Sequence, residues 1–307
     1  MPTKNNYKAH LALLGANLIY GVNYIIAKGI MPDKIGASAF VFIRLFFGTI
    51  LFWIIKSFIK EKVNTKDMGR LILCGFLGAT ANQLLFFNGL NLTSPIDASI
   101  IMTSTPVLVL IFSFFLLKEK VTPNKLLGTA IAGFGAVLLI VYGNNVGGTS
   151  SFIGNLFIFL NASSYGLYLV IIKPLMKKYH AITIISWVFL FGFIFMLPFG
   201  FGDFMSTDFK SFNLNTYLVI AFVVVFTTFF AYLFNIYALK HVSPSVSSSY
   251  IYLQPAIGFI MVSIYAYALM QEQYNKDISV IKVMSCLFVL LGVYLISKTP
   301  KRNKALL

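Results

Sequence analysis

Acidic residues are scarce in this chain. Nine Asp and Glu stand against 24 Lys and Arg, and charged residues of all kinds make up 11% of the 307 positions. A soluble domain carries roughly a quarter of its residues charged, so a solvated globular body is excluded. Histidine and cysteine are scarcer still. His10, His180 and His241 stand apart from one another at the edges of apolar runs. Cys74 and Cys286 make no ligand spacing and no disulfide framework. No metal site and no cofactor is therefore expected. Paired carboxylates inside the apolar runs, a Ser/His/Asp arrangement and a phosphate-binding glycine loop are all missing. No inter-run segment is long enough for a nucleotide-binding domain. The rings of charge and repeated filter loops of a channel are missing too.

What is abundant is apolar. Hydrophobic residues form 58% of the chain, and its mean hydropathy is +0.84. Ten runs, each near the ~20 residues that cross a bilayer as a helix, fall at 10–30, 36–58, 69–90, 95–117, 124–143, 152–173, 181–201, 215–239, 244–270 and 278–297. The pattern predicts an all-α membrane protein of ten transmembrane helices. If the spans alternate, one side collects Lys4, Lys8, Lys56, Lys60, Lys62, Lys66, Arg70, Lys118, Lys120, Lys125, Lys173, Lys177, Lys178, Lys240, Lys298, Lys301, Arg302 and Lys304. The other holds Lys28, Lys34, Lys210, Lys276 and Lys282. Positive loops face the cytoplasm. Both termini are expected there, in a multi-pass protein of the cell membrane (the inner membrane if the source is bacterial). The net charge of +15 then sets topology and implies no nucleic-acid partner. Span 1 carries Asn17, Tyr20 and Asn23 and lacks a small-residue cleavage pattern, so it reads as a membrane span and not as a cleaved signal. Gly128, Gly133 and Gly135 in span 5 permit close helix packing within the chain; nothing fixes an oligomeric state.

The chain repeats itself. Ser94-Pro95 is followed by Pro106, and Ser243-Pro244 by Pro255; each proline lies 149 positions from its counterpart. Tyr20-Gly21 precedes Lys28 at the spacing at which Tyr165-Gly166 precedes Lys173. Spans 5 and 10 end alike, on segments beginning at Gly135 and Gly292. Residues 1–143 and 152–307 therefore read as two five-helix repeats, joined by a flexible linker, 144–151. Five is odd, so the second repeat enters the membrane from the opposite side. Inverted repeats of this kind place a solute site near the midplane and supply two similar states, one open to each side.

These motifs resemble the EamA-like branch of the drug/metabolite transporter superfamily. The resemblance covers nearly the whole chain. It rests on Tyr20-Gly21, Arg44, Pro95, Pro106, Glu119 and the glycines of span 5, then on Tyr165-Gly166, Pro244, Pro255, Glu272 and Gly292. The family's first helix often has Trp before Gly; Tyr20 stands there instead. The resemblance implies a carrier of small metabolites, amino acids or related compounds, working often outward as efflux. It also implies a cavity lined by spans 1, 3, 4, 6, 8 and 9.

Polar side chains in lipid are costly and face the bundle interior. Read that way, the substrate-binding candidates are Asn17, Tyr20 and Asn23 in span 1, Asn82 and Gln83 in span 3, and Thr103 in span 4. Asn161, Tyr165 and Tyr168 in span 6, Tyr232 in span 8, and Tyr250 and Gln254 in span 9 complete the set. Thr227, Thr228, Asn235 and Ser247 add further polarity to spans 8 and 9. Asn17, Tyr20 and Gly21 share one helix face, as do Asn161, Tyr165 and Tyr168. The alternative for any one of them is an interhelical hydrogen bond. Pro106 and Pro255 deprive Met102 and Ile251 of their helical donors; they are hinges or static kinks, with Thr103, Ser104 and Gln254 at hand to satisfy the freed carbonyls. Arg44, buried at a cost of about 2.5–3.5 kcal/mol or more, either anchors the bundle through carbonyls or Asp97, or contacts an anionic group. Asp97 completes a capping-box pattern from Ser94, with Pro95 at the first helical position; proton coupling is its alternative.

The expected function is secondary transport of small neutral or zwitterionic metabolites by alternating access, with the bilayer and the solute as partners. An integral membrane enzyme acting on a lipid or metabolite is the competing class. A reporter fused after Leu307 should read as cytoplasmic; an extracytoplasmic signal would break the ten-span scheme.

Overall fold

A computed structural model describes residues 4–118, 123–142, 151–242, 244–268 and 280–297. Glu119, Ser243, Glu272, Leu307 and the 144–150 part of the linker lie outside the described residues. Within them the secondary structure is helical throughout. We label the helices α1 (Lys4–Lys28), α2 (Ala37–Ser57), α3 (Thr65–Leu92), α4 (Pro95–Leu117) and α5 (Pro123–Tyr142). They continue as α6 (Phe152–Met176), α7 (Ala181–Ser206), α8 (Leu214–His241), α9 (Pro244–Ala268, in three pieces) and α10 (Val280–Ser297). Seven of them, α1 to α4 and α6 to α8, are long and apolar enough to cross a membrane.

Short polar residues start several of these helices. Asn64, Ser94, Ser151 and Asn213 each accept a hydrogen bond from a backbone N–H two or three residues on, at 2.9–3.1 Å. This satisfies donors that the first helical turn leaves open. Ser94 caps α4 with Pro95 at the first position, and Asp97 lies wholly buried in that turn.

Lysines close the other ends. Lys28, at the end of α1, donates to Leu90 O at 2.9 Å and to Thr93 O. Lys173, near the end of α6, donates to Leu239 O at 2.6 Å and to Val242 O. Each ammonium thus meets carbonyls released at the C-terminus of α3 or α8, where the helix dipole also favours a cation.

Four helices are irregular within their length. α3 contains a π-helical stretch at Phe76–Ala81 and α8 one at Val223–Phe230. α4 breaks after Met102 and resumes at Thr105; α9 passes through a 3₁₀ turn at Tyr250–Tyr252 and resumes at Leu253. Pro106 and Pro255 therefore lie in the first turn of a new half-helix, where the missing N–H costs little. Three hydroxyls in succession seal the α4 break. Thr103, Ser104 and Thr105 donate to the carbonyls of Ile100, Ile101 and Met102. Thr105 is thus the group that satisfies Met102, the carbonyl that Pro106 strands. Gln254 does not play this part for α9; its side chain is committed to α1.

α2 and α7 zip along an aromatic seam. Trp53 Nε1 donates to Ser186 O at 3.0 Å, and Ser186 Oγ lies 3.1 Å from Phe52 O. The Trp53 and Trp187 rings meet edge-on at 5.2 Å. α5 and α10 pack chiefly on each other. A Cβ on Gly292 would fall 2.7 Å from Ala132 Cβ, and closer still to Gly128 O, so glycine is what lets these helices touch. Gly133 faces open space instead. The loops after α2 and α6 meet on one face of the bundle. Lys178 pairs with Asp67 at 2.9 Å, Tyr179 OH donates to Asp67 Oδ2 at 2.8 Å, and Glu61 accepts from His180 N.

Replacing Lys28 or Lys173 by Met should destabilise the detergent-solubilised protein by about 1.5–3 kcal/mol each, the size of a hydrogen bond to a charged group. Thermal unfolding reads this; unchanged midpoints in both variants would remove the clamps from the stabilising contacts.

Candidate functional site

The irregular stretches surround one cavity of about 630 Å³, its mouth included. Polar side chains from α1, α3, α6, α8 and α9 line it, with Met102 from α4 and Arg44 from α2. α5, α7 and α10 contribute none of its lining residues. The participation of α2 departs from the lining that the family resemblance implies.

Two hydrogen-bonded groups shape the walls. In the first, Asn17 Nδ2 donates to Leu13 O at 2.9 Å, and Asn17 Oδ1 accepts from Gln254 Nε2 at 2.7 Å. Gln254 Oε1 accepts from Tyr24 OH, also at 2.7 Å. This staples α1 to α9. The second centres on Tyr232. Its hydroxyl donates to Gly78 O at 3.1 Å, has Asn82 Oδ1 as a second acceptor at 3.3 Å, and accepts from Gln83 Nε2 at 3.4 Å. Gly78 lies in the π stretch of α3, so Tyr232 of α8 donates to a carbonyl of the irregularly wound segment. Asn161 Nδ2 ties α6 to the same region through Asn82 O at 2.6 Å. Tyr20 OH accepts from Asn235 Nδ2 at 3.4 Å, and the Tyr20 and Tyr232 rings meet edge-on.

Arg44 is 3% exposed. Its Nε donates to Thr228 Oγ1 at 2.8 Å, and Thr228 in turn donates to Val223 O within the π stretch of α8. Its guanidinium carbon stands 4.6 Å from the centre of the Phe87 ring, a cation–π contact. Its contacts among the described residues are therefore a hydroxyl and one aromatic ring. Neither Asp97 nor a backbone carbonyl, the two anchors that the sequence suggests, is among those partners.

Nine of the twelve residues picked from sequence line this cavity: Asn17, Tyr20, Asn23, Asn82, Gln83, Asn161, Tyr165, Tyr232 and Gln254. Three do not. Thr103 spends its hydroxyl on Ile100 O in the α4 break. Tyr168 lies against the α3 backbone, where a Cβ on Gly78 would collide with its ring. Tyr250 stands away from the cavity, with its hydroxyl 2.7 Å from His10 Nδ1. The structure adds Tyr24, Phe86, Phe87, Met102, Thr227, Asn235, Ser247 and Ile251. Tyr24 was within reach of sequence reasoning, being one helical turn past Tyr20 on the same face. The apolar members carry no signal that separates them from ordinary core.

The profile of the EamA-like transporter family matches residues 7–141 and, again, 152–298. The uncharacterized transporter YetK of Bacillus subtilis (strain 168) is 26% identical over 265 residues, which span 84% of this chain and 79% of that protein. The uncharacterized transporter YyaM of the same organism is 25% identical over 303 residues, 96% of each chain. An uncharacterized transporter of Archaeoglobus fulgidus is 23% identical over 271 residues, 87% of this chain and 91% of its own length. A solved crystal structure superposes with a TM-score of 0.62 at 14% identity, covering 93% of this chain and 96% of the other, and so shares the fold. The enzyme alternative is set aside: with two profile matches filling its length and relatives named as transporters, the chain belongs to the EamA-like transporter family and is a multi-pass membrane transporter.

Proposed function

We propose that this chain is a secondary carrier for small neutral or zwitterionic metabolites, amino acids or related compounds, working by alternating access. The observation that carries the reading is the cavity itself. It is rich in amides and phenols, has one cation, and has no carboxylate among its lining residues. Phosphorylated solutes usually need several basic groups in a site; this one suits compact solutes with balanced charge. The absence of a lining carboxylate also argues for movement down a solute gradient over a carboxylate proton relay. The outward direction is carried over from the family resemblance.

The mechanism rests on two inverted five-helix halves, 1–143 and 152–307, with 144–151 between them. Three pairs of features support that duplication. Lys28 and Lys173 clamp the ends of α3 and α8 alike. The π stretches fall at matched places in those helices. The family profile matches twice. The contact between the loops after α2 and α6 supports placing both on the cytoplasmic side, with both termini there. In this reading Asn17, Tyr20, Asn23, Asn82, Gln83, Asn161, Tyr165, Tyr232 and Gln254 face the solute. The half-helices that start at Thr105 and Leu253, with Pro106 and Pro255 in their first turns, act as hinges, because a broken helix can change its bend without losing a full ladder of bonds.

Proteoliposomes containing the purified chain should move at least one of a panel of radiolabelled amino acids faster than empty liposomes. Gln254→Ala, which unpairs Asn17 and Tyr24, should lower that flux by about tenfold, the scale of leaving a buried polar group unsatisfied. Flux equal to that of empty liposomes across the panel would defeat the carrier reading.

A further inference from the structure

Two kinds of unfinished bonding share the cavity. The first is a cation. Arg44 makes one hydrogen bond through Nε and one contact with the Phe87 ring. No acidic side chain among the described residues pairs with it, and none lines the cavity. A buried charge without a counter-charge is strongly unfavourable. The Phe87 quadrupole and the Thr228 hydroxyl offset part of that and leave the forked terminal nitrogens without a hydrogen-bond partner among the described residues.

The second kind is a set of acceptors. Asn23 Oδ1, Gln83 Oε1 and Asn161 Oδ1 are amide oxygens on residues only 1–2% exposed, and none has a donor among the described residues. For Gln83 and Asn161 the amide nitrogen of the same group is occupied, by Tyr232 OH and Asn82 O. That fixes which end is left over. Native structures leave few buried polar atoms unpaired. These three amide oxygens, together with the Thr227 hydroxyl, also unpartnered among the described residues, line one cavity and match a ligand that brings N–H donors.

We propose that Arg44 is the counter-ion of the transported solute. It takes a carboxylate through its terminal nitrogens, while the orphan oxygens of Asn23, Gln83 and Asn161 take an ammonium. This deepens the carrier reading and rests on it: the solute is a zwitterion with one carboxylate and one ammonium, and Arg44 determines the charge class. A guanidinium fork matches a carboxylate through two parallel bonds. A protonated amine offers three donors and no acceptor, which is what three unpaired amide oxygens accept. The proposal also separates Arg44 from a structural anchor. An anchor, when removed, weakens the empty protein. An uncompensated charge, when replaced by a neutral polar group of similar reach, does not.

Glycine is the smallest probe with both groups and no side chain to be refused. Thermal unfolding of the full solubilised chain is measured with glycine, with acetate (carboxylate alone) and with glycinamide (ammonium alone). Glycine should raise the midpoint at concentrations about tenfold or more below those at which acetate or glycinamide does. Arg44→Gln should abolish the glycine and acetate responses without lowering the midpoint of the empty protein. Asn161→Leu should weaken glycine and leave acetate unchanged. If Arg44→Gln does not fold, Arg44→Lys serves instead; it should still rank glycine first, at higher concentrations, because a point charge replaces the fork. Equal responses to glycine and glycinamide, or a glycine response that survives Arg44→Gln, would overturn the proposal. So would a glycine response of Arg44→Lys that is no longer above acetate. Solute flux with no such preference would sink this inference and leave the carrier standing. A clear preference with no flux would do the reverse.

Discussion

A backbone carbonyl released by an irregular turn inside a bilayer must find a donor within the protein. That requirement organises this structure, because the winding is irregular where the cavity lies. The π stretches of α3 and α8 contain the carbonyls of Leu77, Gly78 and Val223. Ser164, Tyr232 and Thr228 donate to them, from α6, from α8 and from within α8 itself. At the α4 break Pro106 strands the Met102 carbonyl, which Thr105 takes, while Thr103 and Ser104 add hydroxyl donors to Ile100 O and Ile101 O, which also accept from backbone N–H groups. At the helix ends, Lys28 and Lys173 do the same with charge. Several side chains that look like solute ligands thus donate to backbone carbonyls, and some of them, Tyr232 and Asn161 among them, line the cavity as well.

That division explains why polarity alone does not separate the residues that line the cavity from those, such as Thr103, that do not. Thr103 has one hydroxyl proton, and the break in α4 uses it. Tyr168 is displaced by packing: the bare backbone at Gly78 admits its ring where a side chain would have kept it out. In contrast, an amide has two ends. Gln83 and Asn161 can tie helices together with the nitrogen and still offer the oxygen to the cavity. Amides are therefore the residues that serve both demands, and they recur along the lining.

Seven of the helices were legible in the sequence as apolar runs near the length of a bilayer crossing, and the duplicated prolines mark the places where α4 and α9 break. The observed α3 starts at Thr65 and α7 extends to Ser206, both beyond the apolar runs, because an Asn64 cap and a turn of partly polar sequence continue the helix past the hydrophobic core. The π stretches were not legible. Phe76–Ala81 and Val223–Phe230 read as ordinary apolar helix, and the extra residue per turn leaves no mark in composition. Arg44 was conspicuous, but its partners were not, because Thr228 and Phe87 are distant in sequence and neither bears a charge. Tyr24 was readable from spacing, whereas Phe86, Met102 and Ile251 could not be told from core.

Pro106 and Pro255 hold matched places, yet their helices are secured differently, and the difference bears on how the cavity opens. The bend in α4 is sealed by its own hydroxyls, so it moves with the helix at no cost in hydrogen bonds. Gln254, next to Pro255, is instead bonded to Asn17 and Tyr24 of α1. Parting α9 from α1 therefore strands two amides and a phenol in a low-dielectric interior, where unpaired polar groups are most costly. Water or a polar solute entering between the helices can take over those bonds. Under the alternating access proposed above, separation of α1 from α9 and entry of a hydrogen-bonding solute would favour each other, and an apolar solute of the same size would lack the means to drive the same change.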